Sequence, residues 1–241
     1  MRLQTWILLL SVPFVALPCA CAAWDFTYDG DVLPVDAALG ADVWALRRPG
    51  DQAFLSESGA SDGFLHLVDR RNDQAALFYR DDVGPGSPVT IEGRVRVVAA
   101  DDPYNGLIEP LLFGGRLAFV AIFGDRIGVR YIGMNSFIFS PLDMSEFHVI
   151  RLALEGSQAG FRDPAFTVWV DGAQVFSGPA PGTTGGSVYF GTLFNQPTSE
   201  SYWDYVRYSN EYLPVPEPSG LLALTSGLTG LLAMRRRRGA G

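Results

Sequence analysis

From Trp24 to Tyr212 no stretch of this chain carries a sustained helical period, and that excludes most architectures at once. In its place stand short runs rich in Val, Ile, Phe and Tyr, punctuated by Gly, Pro, Asp and Asn. Val89 to Val98 alternates most cleanly. Ile91, Val95 and Val97 share one face and Glu92, Arg94 and Arg96 the other, as in an antiparallel strand with one side on a core. Leu117 to Phe123 is apolar at every position, which predicts a strand covered on both faces or lying near the sheet centre. Gly124-Asp125 then predicts a two-residue type II′ turn into Arg126 to Ile132, and Asp171-Gly172 a type I′ turn joining Phe166–Val170 to Ala173–Ser177. Phe64 to Asp69 and Ala75 to Arg80, separated by Arg70-Arg71-Asn72-Asp73, read as a further hairpin. Glu146 to Glu155, Ser187 to Thr192 and Trp203 to Tyr208 bring the count to about twelve strands. A sheet must bury one face, and with no helices to cover it the expectation is one all-β domain, an antiparallel β-sandwich over residues 24–212.

The two ends are of another kind. Residues 1–23 read as a signal peptide: Arg2, an apolar region from Trp6 to Leu17, and the small residues Ala20 to Ala23. A lipoprotein reading would acylate Cys19 or Cys21, but Ala16 and Pro18 stand where Leu is expected three residues before each. At the other end, within residues 213–241, come Val215-Pro216-Glu217-Pro218, an apolar helix over 219–234, and Arg235-Arg236-Arg237-Arg238. The helix is shorter than the roughly twenty residues of an ordinary bilayer span, and four Arg in a row would hold its end in the cytoplasm. With basic residues at both ends, the domain between them is expected outside. This three-part tail resembles the PEP-CTERM sorting signal, recognised by a membrane protease of the exosortase type. The resemblance implies export, transient anchoring in the inner membrane, an exosortase partner, and delivery to the cell surface or extracellular matrix.

A second resemblance rests on Phe147-His148-Val149-Ile150-Arg151-Leu152, Val168-Trp169-Val170-Asp171-Gly172, Tyr189-Phe190-Gly191 and Trp203-Asp204-Tyr205-Val206-Arg207-Tyr208. These runs, spread over residues 85–210, resemble the concanavalin A-like lectin/glucanase jelly roll of the laminin G type. That fold implies neighbouring first and last strands, with Trp24-Asp25-Phe26 beside Trp203-Asp204-Tyr205. Its glucanases carry Glu-x-Asp-x-x-Glu on one strand. That motif is absent here, and Glu200, Asp204 and Glu211 are spaced differently. Two classes therefore stay open: a non-catalytic carbohydrate-binding or structural module, and a carbohydrate-active enzyme of the glycoside hydrolase kind.

The remaining chemistry is sparse. Both cysteines lie in the signal segment, so nucleophilic catalysis is left with His66 and His148, each in an apolar strand and expected to be half-buried with a satisfied hydrogen bond. His-Glu-x-x-His, Cys-x-x-Cys and phosphate-cradling loops are absent, so no cofactor is assigned and no catalytic residue is named. Asp29-Gly30-Asp31, Asp81-Asp82 and Asp101-Asp102 offer oxygen ligands for calcium without the spacing of an EF-hand, and turn chemistry accounts for the same residues. The formal charge of −8 understates the domain's acidity, since Arg2 and Arg235 to Arg238 supply five of the eighteen cations, and nucleic acid is not an expected partner. One face invites a ligand. Alternation turns Thr167, Trp169 and Asp171 away from the core, onto a face expected to hold Glu92, Arg94, Arg96, Arg130 and Arg151 as well. An aromatic ring among charged groups suits a polysaccharide. The competing reading is a solvated face with its charges paired across strands.

Overall fold

The computed structural model describes residues 24–46, 58–69, 77–83, 87–100, 111–113, 118–131, 137–156, 165–179, 187–191 and 199–214. Residues 1–23, expected to be a signal peptide, and the tail from Val215 onward lie outside these residues, as does Asp101-Asp102. Among the described residues there are fifteen strands and one 3₁₀ turn of helix, Ala37–Asp42, whose first turn is capped by the Asp36 side chain accepting from Ala38 N at 2.8 Å. The strands are β1 Phe26–Tyr28, β2 Ala45–Leu46, β3 Gly59–Ser61, β4 Phe64–Asp69, β5 Leu77–Arg80, β6 Val89–Ala100, β7 Leu111–Phe113 and β8 Ala118–Ile122. They continue as β9 Arg126–Tyr131, β10 Ile138–Pro141, β11 His148–Leu154, β12 Ala165–Val170, β13 Ala173–Pro179, β14 Val188–Gly191 and β15 Ser199–Ser209.

They form two antiparallel sheets. One has eight strands in the order β13-β12-β11-β6-β15-β4-β3, with β1 also paired to β15; the other runs β10-β9-β8-β7-β14-β5-β2. The expected all-β sandwich is therefore the architecture found. Its core is where alternation directs it: Ile91, Val95 and Val97 of β6 and Phe166, Val168 and Val170 of β12 all point inward and are buried. In the strand predicted to be covered on both sides, Val120, Ala121, Ile122 and Phe123 are all buried.

Aromatic rings join the layers. Trp44 meets Phe190 of β14 edge-on at 4.7 Å, Phe190 meets Trp203 of β15 at 5.4 Å, and Phe26 stacks on Tyr208 at 5.4 Å. Each such buried side chain contributes about 1.5–3 kcal/mol of hydrophobic stabilisation. Gly93 makes room for one of them. It falls in the inward series of β6, and a Cβ there would lie 2.8 Å from the Trp203 ring.

The Asp171-Gly172 turn has the expected left-handed pair, with φ of 49° and 82°, and Asp62-Gly63 makes an equivalent turn between β3 and β4 with φ of 57° and 77°. Gly124-Asp125 does join β8 to β9, with Phe123 N donating to Arg126 O at 2.9 Å, but Gly124 is not among the glycines of positive φ. The carbonyls of Gly124 and Asp125 accept from Met144 and Leu142, so tertiary bonds rather than type II′ preference set this turn. The expected hairpin of Phe64–Asp69 with the segment ending at Arg80 is corrected. β4 lies in the eight-stranded sheet and β5 in the other, because Leu65 and Leu67 bury on the common core from one side and Phe78 from the other. First and last strands are neighbours as expected, though in a shifted register: Phe26 pairs with Tyr208 and Tyr28 with Val206.

Candidate functional site on the outer face of the eight-stranded sheet

Residues paired directly across antiparallel strands share a face, so the outer face of the larger sheet can be read as rows. The first row runs Arg207–Glu92–Arg151–Trp169 across β15, β6, β11 and β12. Glu92 is its centre. With 2% of its side chain exposed, it accepts from Arg151 Nε at 2.6 Å, from Arg207 Nε and Nη2 at 2.9 and 2.6 Å, and from the Tyr205 hydroxyl at 2.8 Å. Burial and the neighbouring Glu92 carboxylate raise the Tyr205 phenol well above its ordinary range, so it stays a hydroxyl donor.

Trp24 and residues 211–213, at the two ends of the sandwich, close over this row. The Trp24 ring lies 4.3 Å from the Arg207 guanidinium and 5.2 Å from that of Arg151, and the Leu213 carbonyl accepts from Arg151 at 3.3 Å. Thr90 Oγ1 donates to Glu211 O and accepts from Leu213 N, which fixes the departing chain along the sheet. The ligand-binding expectation for Trp169, Glu92 and Arg151 is therefore corrected. Trp169 does turn away from Phe166, Val168 and Val170, yet it is only 6% exposed, and Thr167 beside it is buried too. Glu92 and Arg151 satisfy each other. Arg130 is corrected as well: β9 belongs to the other sheet, so Arg130 stands exposed on the opposite side of the sandwich, 5.8 Å from the Phe137 ring.

The open part of the face lies further along, where Arg96, Tyr202 and His66 are paired in register across β6, β15 and β4. Asp204 follows the inward Trp203 and faces outward, where it forms an ion pair with Arg94, and a bulge between Trp203 and Tyr205 keeps Tyr205 on the same face before Val206 returns to the core. Arg94 also lies over the Phe147 ring at 4.7 Å, and Phe147 stacks on Phe64 at 5.2 Å. Arg96 sits 5.0 Å from the Phe147 ring and 4.5 Å from the Tyr202 ring. Among the described residues it has no carboxylate partner, and its buried Nε has no hydrogen-bond partner. The His66 ring stacks on Tyr202 at 4.4 Å with planes 11° apart, while its Nε2 meets Glu200 Oε1 at 2.9 Å. His66 and Glu200 keep 29% and 31% of their side chains exposed.

Of the six sequence-predicted residues, this patch gathers Arg94 and Arg96. His66 is half-buried with a hydrogen bond, as expected. The sequence reading did not single out Tyr202, Glu200, Phe64 and Phe147 as part of this patch, although i, i+2 spacing in Phe64/His66 and Glu200/Tyr202 sets each pair on one face. His148 is as expected for a structural histidine, with Nδ1 2.6 Å from Asp171 Oδ2 and Nε2 2.8 Å from Asp143 O. The acidic turns are largely occupied: Asp81 accepts from Ser187, and Asp82 from Arg80 and Tyr208. Burial raises the Asp82 carboxyl, but those two bonds more than reverse it and hold it below the usual range. Among the described residues no three His, Cys, Asp or Glu side chains gather as a metal site.

No family model matches the chain, and no curated protein matches it. Solved structures do share its fold. An alginate lyase, Aly36B, in complex with an alginate tetrasaccharide superposes with a TM-score of 0.53 at 10% identity, covering 79% of this chain and 98% of the lyase. A carbohydrate esterase from the Shiga toxin-encoding bacteriophage phi24B gives 0.52 at 12% identity, with 77% and 97% covered. The cellulose-induced protein Cip1 gives 0.50 at 10% identity, with 65% and 84% covered. At such identities the likeness shows the jelly-roll fold, one that carbohydrate-active proteins use.

Proposed function

We propose that this is an exported surface or matrix protein whose sandwich binds polysaccharide at the patch formed by Arg94, Arg96, Phe147, Tyr202 and His66. One observation carries the reading: Arg96 is held between two rings with neither a carboxylate nor a bond to its Nε among the described residues. A half-buried guanidinium without an acceptor is costly, and a ligand that brings oxygens to it recovers that cost. The Tyr202 and Phe147 rings are themselves stacked, on His66 and Phe64, so they offer a sugar their edges and hold Arg96 in place rather than presenting open faces. Proteins of this fold that bind or act on carbohydrate support the reading. The acidic character of the chain does not oppose it, because at physiological salt charges beyond about 8 Å are largely screened and the local pair of Arg decides.

Arg96→Met, which keeps the aliphatic stem, is expected to weaken binding on a glycan array by roughly 10- to 100-fold, the scale of one or two charge-assisted hydrogen bonds. Arg130→Met, on the opposite side, should leave it unchanged. Binding that ignores Arg96 or depends on Arg130 rejects the site.

The tail reading accompanies this one, supported by Pro-Glu-Pro, the short apolar run and the four Arg in their order. Neutral residues in place of Arg235 to Arg238 should reduce membrane retention and change processing. Blots of membrane and medium fractions showing unaltered size and location would reject it.

A further inference from the structure

Three reactive groups of this patch are left over once its internal bonds are assigned. Among the described residues the Arg96 guanidinium has no acceptor, the Tyr202 hydroxyl has no hydrogen bond, and His66 uses only Nε2, leaving Nδ1 without a partner. They stand on three adjacent strands, with Tyr202 in ring contact with both of the others. Glu200 holds the imidazole by Nε2, and in the neutral ring that bond, with the carboxylate accepting, leaves the lone pair on Nδ1. The chain has no Lys, its two Cys lie in the first 23 residues, and Glu200 and Asp204 are bonded to His66 and Arg94, which leaves His66 and Tyr202 as the unoccupied proton-transfer groups here.

We infer that this patch cleaves a uronate-containing polysaccharide by β-elimination, with Arg96 on the uronate carboxylate, His66 as base and Tyr202 as acid. The inference rests on the binding reading above. A C–H next to a carboxylate gives up its proton only when the charge building on that carboxylate is neutralised, which is what an unpaired guanidinium supplies. His66 Nδ1 takes the proton from C5. The C5–H electron pair becomes the C4–C5 double bond, the C4–O4 bond breaks, and its pair leaves on O4, which receives the Tyr202 proton. One chain becomes two, the new non-reducing end carrying a double bond conjugated to its carboxylate, and no further reactant is consumed. Hydrolysis fits less well, since it needs two free carboxyl groups about the bond and here Glu200 is bonded to His66 and Asp204 to Arg94. Glu200 acts through His66 and is a positioning residue.

The test incubates the full-length protein with alginate and polygalacturonate. It follows the ultraviolet absorbance of the conjugated alkene and, by mass spectrometry, fragments lighter by one water than hydrolytic ones. His66→Ala and Tyr202→Phe are expected to lower the rate at least about 100-fold and to weaken binding far less than Arg96→Met does. Arg96→Met should lose binding and rate together, and Glu200→Gln should lower kcat with little change in KM. Wild-type protein that binds a polyuronate but never yields unsaturated ends overturns the elimination and leaves binding standing. Failure to bind any glycan overturns both readings. An unchanged rate in His66→Ala removes the base.

Discussion

Glu92→Ala should destabilise the domain by about 3–5 kcal/mol, the cost of breaking a buried ion pair from one side. The carboxylate is buried among Arg151, Arg207 and Tyr205, and removing it leaves two guanidinium groups that face each other under Trp24 without their common acceptor. For a domain of this size the melting temperature should fall by roughly 6–20 °C. Arg151→Ala should then cost less in the Glu92→Ala background than in the wild type, since its main partner is already gone. A loss under about 1 kcal/mol would mean that the network is solvated and that Trp24 and residues 211–213 do not seal it.

Trp169→Ala should cost a similar 3–5 kcal/mol, as truncation of a buried large aromatic does, and should leave glycan affinity at Arg96 unaltered. Alternation turns Trp169 away from the core, which makes it a candidate sugar platform, and it does turn outward. What alternation does not reveal is that this end of the outer face is closed. If Trp169→Ala instead weakened glycan binding at an unchanged melting temperature, the residue would return to the site and the burial argument would fail.

These residues show how far sequence carries. Periodicity reports the two faces of a single strand, so the inward series of β6 and β12 and the apolar stretch in β8 were legible, as was the Asp171-Gly172 turn. Pairing between strands distant in sequence is set by how both layers share one core. That is why β4 and β5 separate into different sheets and why Arg130 ends opposite Arg94 and Arg96. The His66–Tyr202–Arg96 row joins strands at three distant points of the chain, and nothing local announces it. The covering of Glu92 by Trp24 and residues 211–213 follows from β1 pairing with the end of β15, whose shifted register the sequence did not supply.

The account stands most directly on a crystal structure of the protein with an acidic oligosaccharide bound. It predicts the sugar on the outer face of the eight-stranded sheet, a ligand carboxylate within hydrogen-bond distance of Arg96, and sugar rings against Phe147 and Tyr202. An oligosaccharide seated on the other sheet beside Arg130 and Phe137, with the Arg96 face empty, would contradict it.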